Sequence, residues 1–287
     1  MRYFDLHADT PRACLKRGVT PDNNLLAASV KKGDALDCWY QCFAVFVPDG
    51  SADPILEYES IISDFKRKIS HFDKPKFCFT LENALPIDSI DFIIRLATDN
   101  VKAVTLTWNG KNHIAGGVDS VSGLTPFGKE VINALNGFDI AVDLSHLNRR
   151  SFFEAGEVAN NIFASHTCCY KTHRHPRNLT DEQLRYIAER GGVIGLCFYP
   201  EFLGTKYAFE GVWRHINHLL NLGLHENIAF GSDFDGADMA DCLDGVDKIP
   251  ALYRFLQSRG LSAELLDALF FKNACNFLKN FDKSVLL

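Results

Sequence analysis

The chain has 287 residues, 47% of them hydrophobic and 23% charged, a size and mix that suit a soluble globular enzyme with a large core. A formal net charge of −6 gives no footprint of the clustered basic surface that nucleic acid or an anionic membrane would select, so the expected partner is a small molecule. No apolar leader or C-terminal anchor signal is visible, and nine cysteines, an odd number without a Cys-x-x-Cys pair, are expected to be free and buried in a cytoplasmic protein.

In chain order, the first apolar run is Tyr3–Leu6 and the second Trp39–Val47. A helical stretch follows at Asp53–Phe72, where Ile55, Leu56, Ile61, Ile62, Phe65, Ile69 and Phe72 recur every three or four residues opposite Glu57, Glu59, Lys66 and Arg67. The runs Lys76–Leu81 and Ala103–Thr107 precede a helical pattern at Thr125–Leu135, and Ile140–Asp143 precedes another at Arg149–Ala159. Ile162–Ser165 leads to Thr180–Glu189, which carries a capping signal in Thr180 with Glu182 and Gln183. Val193–Cys197 leads to Trp213–Leu222, and Ile228–Phe230 to Leu261–Leu278. Short runs that are apolar throughout are strands buried on both faces, and their alternation with helices predicts parallel strands joined by crossovers. Eight repeats, with no Gly-x-Gly-x-x-Gly after the first strand, predict an α/β fold of the (β/α)8 TIM barrel type rather than an open dinucleotide-binding sheet. With no linker or internal repeat in sight, residues 1–287 are expected to form a single barrel domain.

Polar, metal-capable residues sit directly after these strands: His7 and Asp9 after the first, Glu82 after the third, His146 after the fifth, His166 after the sixth and Asp233 after the eighth. In a barrel such positions converge on the C-terminal rim, where this fold builds its active sites. His7-Ala8-Asp9 alone is a weak signal, but in extended backbone residues i and i+2 face the same way and can share an ion. Imidazoles and carboxylates suit Zn²⁺, and the five ligands His7, Asp9, Glu82, His146 and His166 are best used on two ions, with Glu82 the bridging candidate.

The segments Phe4–Pro11, Thr105–Asn109, Asp143–His146, Ala164–His166, His175–Asp181 and Gly231–Gly236 resemble, in order and over nearly the whole chain, the motifs of the membrane (renal) dipeptidase family of zinc metallopeptidases, in its bacterial form. The resemblance implies a binuclear zinc barrel that cleaves the amide bond of dipeptides through a metal-bridged hydroxide. It implies that His7, Asp9 and Glu82 hold one ion, and Glu82, His146 and His166 the other. It further implies that Asp233 handles protons and that Arg177 binds the C-terminal carboxylate of the substrate.

This chain departs from the family in two places. Asn83 follows Glu82 where the family usually has glycine, which predicts a different local backbone. Trp108 stands where animal members carry a histidine thought to stabilise the oxyanion, and His113 in the same loop is the candidate replacement, against the reading of a solvated loop histidine. Tyr199, after the seventh strand, is a further substrate-binding candidate, with a packing role as its alternative. Ser145 and Ser165 lack a Gly-x-Ser-x-Gly elbow and are not read as nucleophiles. Two rival functions are a metal-dependent lactonase or deaminase on the same barrel and a non-catalytic, metal-containing binding barrel. The Arg177 segment favours a carboxylate-bearing substrate over the first, and Asp233 counts against the second; a homodimer is left open.

Overall fold

In the computed structural model, which describes residues 1–279, the apolar runs pair as parallel strands that close into a barrel in chain order. The end of the domain expected over residues 1–287 lies outside the described residues. The first half comprises β1 (Arg2–Ala8), α1 (Thr10–Arg17), β2 (Cys38–Phe46), α2 (Pro54–Ile69), β3 (Lys76–Glu82), α3 (Phe92–Thr98), β4 (Val101–Thr105) and α4 (Pro126–Gly137). The second half comprises β5 (Ala141–Asp143), α5 (Arg149–Val158), β6 (Ile162–Thr167), α6 (Asp181–Glu189), β7 (Ile194–Leu196), α7 (Pro200–Leu203), α8 (Ala208–Asn221), β8 (Ile228–Phe230), α9 (Ile249–Ser258), α10 (Ala263–Asp267) and α11 (Asn273–Lys279). Asp5 of β1 pairs with Phe230 of β8 and closes the ring.

The helices form where the pattern and the caps agree. In α2 the Asp53 carboxylate accepts the Leu56 N–H, Pro54 occupies the first turn, and Tyr58, Ile61, Ile62, Phe65 and Ile69 form the buried stripe. Thr180 and Gln183 complete a reciprocal capping box at the start of α6. The sequence pattern does not predict α1, α3 or α7, which span eight, seven and four residues, too few for a helical period to show. Helix α9 carries the period at Ile249, Leu252 and Leu256, but it follows the last strand, where the alternation calls for one helix only. The helix expected over Leu261–Leu278 is α10 and α11 joined by a π turn at Ala268–Lys272.

One apolar cluster takes residues from every strand or its edge, among them Phe4, Leu6, Tyr40, Cys42, Cys78, Phe163 and Val193, and α11 covers it with Cys275, Phe277 and Leu278. This cluster is the barrel interior at its N-terminal end, and it makes the barrel a packed core closed from below. Above it the interior turns polar, with Thr105, Asp143, Ser145 and Ser165 all buried beneath the C-terminal rim. The strand register shifts between Asp5 and Ala8 in β1 and between Ala164 and Thr167 in β6. Such irregularities re-aim side chains, and here they bracket His7 and His166. The nine cysteines are free, and seven of them are buried.

Candidate metal centre

The rim brings together the six residues singled out after the strands. Glu82 stands at their centre: its Oε1 is 2.9 Å from His146 Nε2 and 3.8 Å from His166 Nε2, while its Oε2 is 3.4 Å from His7 Nε2. Asp9 Oδ2 is 3.6 Å and Asp233 Oδ1 4.0 Å from the same His7 nitrogen. Three overlapping triples have ligand atoms within 4.8 Å of one another, namely His7, Asp9 and Glu82; Glu82, His146 and His166; and His7, His166 and Asp233. Asp9 joins the group by another route than the one expected. Its backbone is not extended (φ −86°, ψ 18°) but is the N-cap of α1, so the irregular end of β1 and the start of the helix, not strand alternation, turn it toward His7.

Five of these groups are buried and Asp233 is half-buried at their edge, and their protonation follows. Burial pushes His166 well below the usual imidazole range and His146 down to about 4, with Arg177 adding to both shifts and His7 to the first. Both imidazoles are therefore neutral at pH 7, the form that can bind a metal. Burial also opposes charge on His7, but Glu82 and Asp9 outweigh it and hold the imidazole well above its usual range. Asp9 rises to about 8 through burial and the proximity of Glu82. Asp233 rises to about 6, mostly through burial, with Glu82 raising it and His7 and Arg177 opposing. Burial opposes ionisation of Glu82 as well, yet His7 and His146 hold it well below the usual carboxylate range. The carboxylates thus create a strong demand for positive charge beside His7, which a divalent cation meets as well as a proton does.

Several residues to which the sequence assigns no role support these groups. Asn109, which follows Trp108, places Oδ1 2.9 Å from His146 Nδ1 and accepts its proton, so that Nε2 faces Glu82. Asn83 adopts φ +69°, the left-handed conformation that asparagine tolerates better than other non-glycine residues. The departure from the family's glycine therefore leaves in place a backbone that glycine would also adopt. The buried Asn83 amide donates to Val47 O at 2.8 Å and to Asp49 at 2.9 Å, and its Oδ1 accepts from Asn112, tying the ends of β2, β3 and β4 together. His146, Asp233 and Asp235 are also at positive φ, and such strained positions concentrate at functional sites.

A cavity of about 1140 Å³ opens above the cluster; Asp9, Glu82, His146, His166, Asp233, Arg177, Trp108 and Tyr199 are among the residues that line it. Arg177 is buried, with Nη2 2.8 Å from His166 Nε2 and the guanidinium over the Phe202 ring. Tyr199 reaches the cavity and packs edge-on against Phe202. His113 is not brought to the site. Its Nε2 is 2.8 Å from Ile87 O, its ring stacks on Phe127, and its side is open to solvent away from the cavity.

Gly236 shows how tightly the rim is built, because a Cβ there would lie 2.0 Å from Asp9 Oδ2 and 2.7 Å from Asp233 Oδ1. Gly236→Ala is expected to drive the two carboxylates apart and to cost about 1–3 kcal/mol of stability through overpacking. Thermal unfolding checks this, and a variant as stable as the parent chain would show that the rim yields without cost.

Residues 57–284 match the family model described as membrane dipeptidase, peptidase family M19. Over 195 residues, 63% of this chain and 72% of the other, the chain is 33% identical to an uncharacterized protein of the pqqA 5′ region in Klebsiella pneumoniae. It is 35% identical over 178 residues to an uncharacterized dipeptidase of Schizosaccharomyces pombe, covering 58% of this chain but 44% of the yeast protein, so the match spans less than half of that relative's length. A solved metallopeptidase from Rhodobacter sphaeroides, liganded with a phosphinate mimic of the dipeptide L-Ala-D-Ala, shares the fold with a TM-score of 0.86 at 19% identity, over 98% of this chain and 99% of the other.

Proposed function

The chain belongs to the membrane dipeptidase family and is a metal-dependent dipeptidase, and from that premise we propose that it works with two zinc ions shared by Glu82. In this reading His7 and Asp9 complete one site, and His146 and His166 the other. The observation that carries it is the position of Glu82, with one carboxylate oxygen toward each group. The donor chemistry fits. His7 Nε2 and Asp9 Oδ1 are buried with no hydrogen-bond partner in the protein, a costly state for both unless a cation takes their lone pairs. His146 Nε2 and His166 Nε2 lie 2.9 Å apart, and His146 already spends its proton on Asn109, so the pair fits two imidazoles aimed at one ion.

Bound ions would supply an activated water near neutral pH and polarise the scissile carbonyl. The residues of the chain do the rest. Asp233, at the edge of the cluster and held near pKa 6, takes the proton of the attacking water and delivers it to the departing amine. Arg177 grips the substrate's terminal carboxylate, and Tyr199, which packs on the same Phe202 ring, offers its hydroxyl beside it. Because Arg177 Nη2 lies 2.8 Å from His166 Nε2, a carboxylate held there would sit close beside the cluster rather than several residues away. That spacing favours dipeptides over longer chains. The ligand of the Rhodobacter sphaeroides protein makes L-Ala-D-Ala the first substrate to assay. Free, mostly buried thiols support a cytoplasmic location, and no helix among the described residues is long and apolar enough to cross a membrane.

The role of Arg177 is tested by comparing a free dipeptide with its C-terminal amide on the parent enzyme and on Arg177→Ala. Removing one partner of a desolvated charge pair costs about 2–5 kcal/mol, so the parent enzyme should strongly prefer the free acid and the variant should lose most of that preference. Equal kcat/KM for acid and amide on the parent enzyme would remove Arg177 as the anchor and favour a lactonase-like substrate.

A further inference from the structure

Ser165 precedes a ligand candidate but has no part in the reaction above, although its buried hydroxyl is surrounded by polar atoms. Its Oγ is 2.5 Å from Asp143 Oδ2 and 2.7 Å from His166 Nδ1, with His7 Nδ1 and Ser145 Oγ farther off at 3.4 Å each. A hydroxyl has one proton to give and two lone pairs with which to accept. The proton goes to Asp143, whose side chain only accepts here: its Oδ1 takes the N–H groups of Ser145 and Ser165, and its Oδ2 takes the Thr105 hydroxyl as well as that of Ser165. The lone pairs of Ser165 then face His166, so Nδ1 of that imidazole must carry hydrogen. The far side of the ring leads to the same assignment. Arg177 Nη2 is 2.8 Å from His166 Nε2, and a guanidinium only donates, so Nε2 presents a lone pair.

We propose that Asp143 and Ser165 form a tautomer lock, in which the carboxylate orients the hydroxyl and the hydroxyl holds His166 with its proton on Nδ1 and Nε2 open to a metal. Ser165 is then a positioning residue for the centre. Its longer contact to His7 Nδ1 extends the lock to a member of the other ligand group. The role as a metal-site device rests on the zinc reading above, whereas the tautomer itself does not.

The decisive variant is Asp143→Asn, which keeps the shape. Two backbone N–H groups anchor Oδ1, so the amide nitrogen falls at the Oδ2 position, where it donates to Ser165. The hydroxyl proton is thereby turned onto His166 Nδ1, and the imidazole proton moves to Nε2, which breaks the contact from Arg177 Nη2. Nitrogen-15 NMR of the metal-free protein should show His166 protonated on Nδ1 in the parent chain and on Nε2 in the variant. Zinc retention against a chelator should fall about 10–100-fold, as loss of such an outer partner does elsewhere. An Asp143→Asn protein that folds with the parent tautomer and the parent zinc retention overturns the lock. If the parent chain itself retains no zinc, the zinc reading fails while the NMR result still decides the lock. Should Asp143→Asn not fold, Ser165→Ala and Ser165→Thr decide: zinc retention lost with alanine and kept with threonine upholds the proposal, and retention that does not follow the hydroxyl overturns it.

Discussion

Glu82→Gln is expected to strip both metal positions and to abolish dipeptide hydrolysis. The two oxygens of Glu82 face different partners, His146 and His166 on one side and His7 on the other. An amide has one oxygen and a nitrogen without a lone pair to give, so whichever way it turns, one group loses the shared ligand. The other group loses a full negative charge among ligands nearly inaccessible to water, where screening is weak. Metal chemistry supplies several kcal/mol of transition-state stabilisation, so turnover should fall by about 10³-fold or more. Elemental analysis and kcat on the same preparation check this, with thermal unfolding to show that the barrel is intact. A variant that keeps two metals per chain and normal turnover would remove Glu82 from the centre.

Asp233→Asn is expected to leave metal content and fold in place while kcat falls by about 10²–10⁴-fold, the range for a general acid–base group. Asparagine suits the site sterically. Residue 233 sits at φ +64°, a left-handed conformation that asparagine accepts, and its N–H bonds to His7 O at 3.1 Å whatever the side chain. The amide fills the same space at the edge of the cluster but cannot take a proton from water. The outcome differs in kind from that of Glu82→Gln, since here the metal stays and the turnover goes. Near-normal turnover from pH 6 to 9 would show that Asp233 is not the proton carrier.

The barrel is legible in the sequence because strands buried on both faces are apolar over nearly all their length, and runs such as Trp39–Val47, broken only by Gln41, and Ile228–Phe230 have no other comfortable place. The same rule exposes the cluster. His7, Glu82, His146 and His166 interrupt or end apolar runs, where a polar group costs free energy unless something claims it. Asn109, Asp143 and Ser165 lie within the motif segments, but their roles are not legible for the opposite reason: those roles rest on which atoms of distant strands they touch, and a linear pattern does not encode that. His113 shows how a loop defeats a count of residues. Asn112 donates to Asn83 and to Leu106 O, and its Oδ1 accepts the N–H groups of Ile114 and Ala115. That turn holds the loop to the barrel through Asn112 and leaves His113 pointing outward to Ile87 and Phe127.

The short helices escape notice because α1 and α3 owe their existence to the barrel. Helix α1 has Pro11 in its first turn, a left-handed Gly18 as its stop, and only Thr10, Pro11, Ala13 and Cys14 buried, too few positions for a stripe. Its position after the irregular end of β1 is nevertheless what delivers Asp9 to His7.

The most direct test of a binuclear zinc dipeptidase is to strip the protein with a chelator, return zinc in measured equivalents, and follow hydrolysis of L-Ala-D-Ala. The proposal predicts no turnover without metal and a rate that rises until two zinc ions per chain are bound. Full activity at one equivalent or fewer, or hydrolysis that persists in the stripped protein, would contradict it.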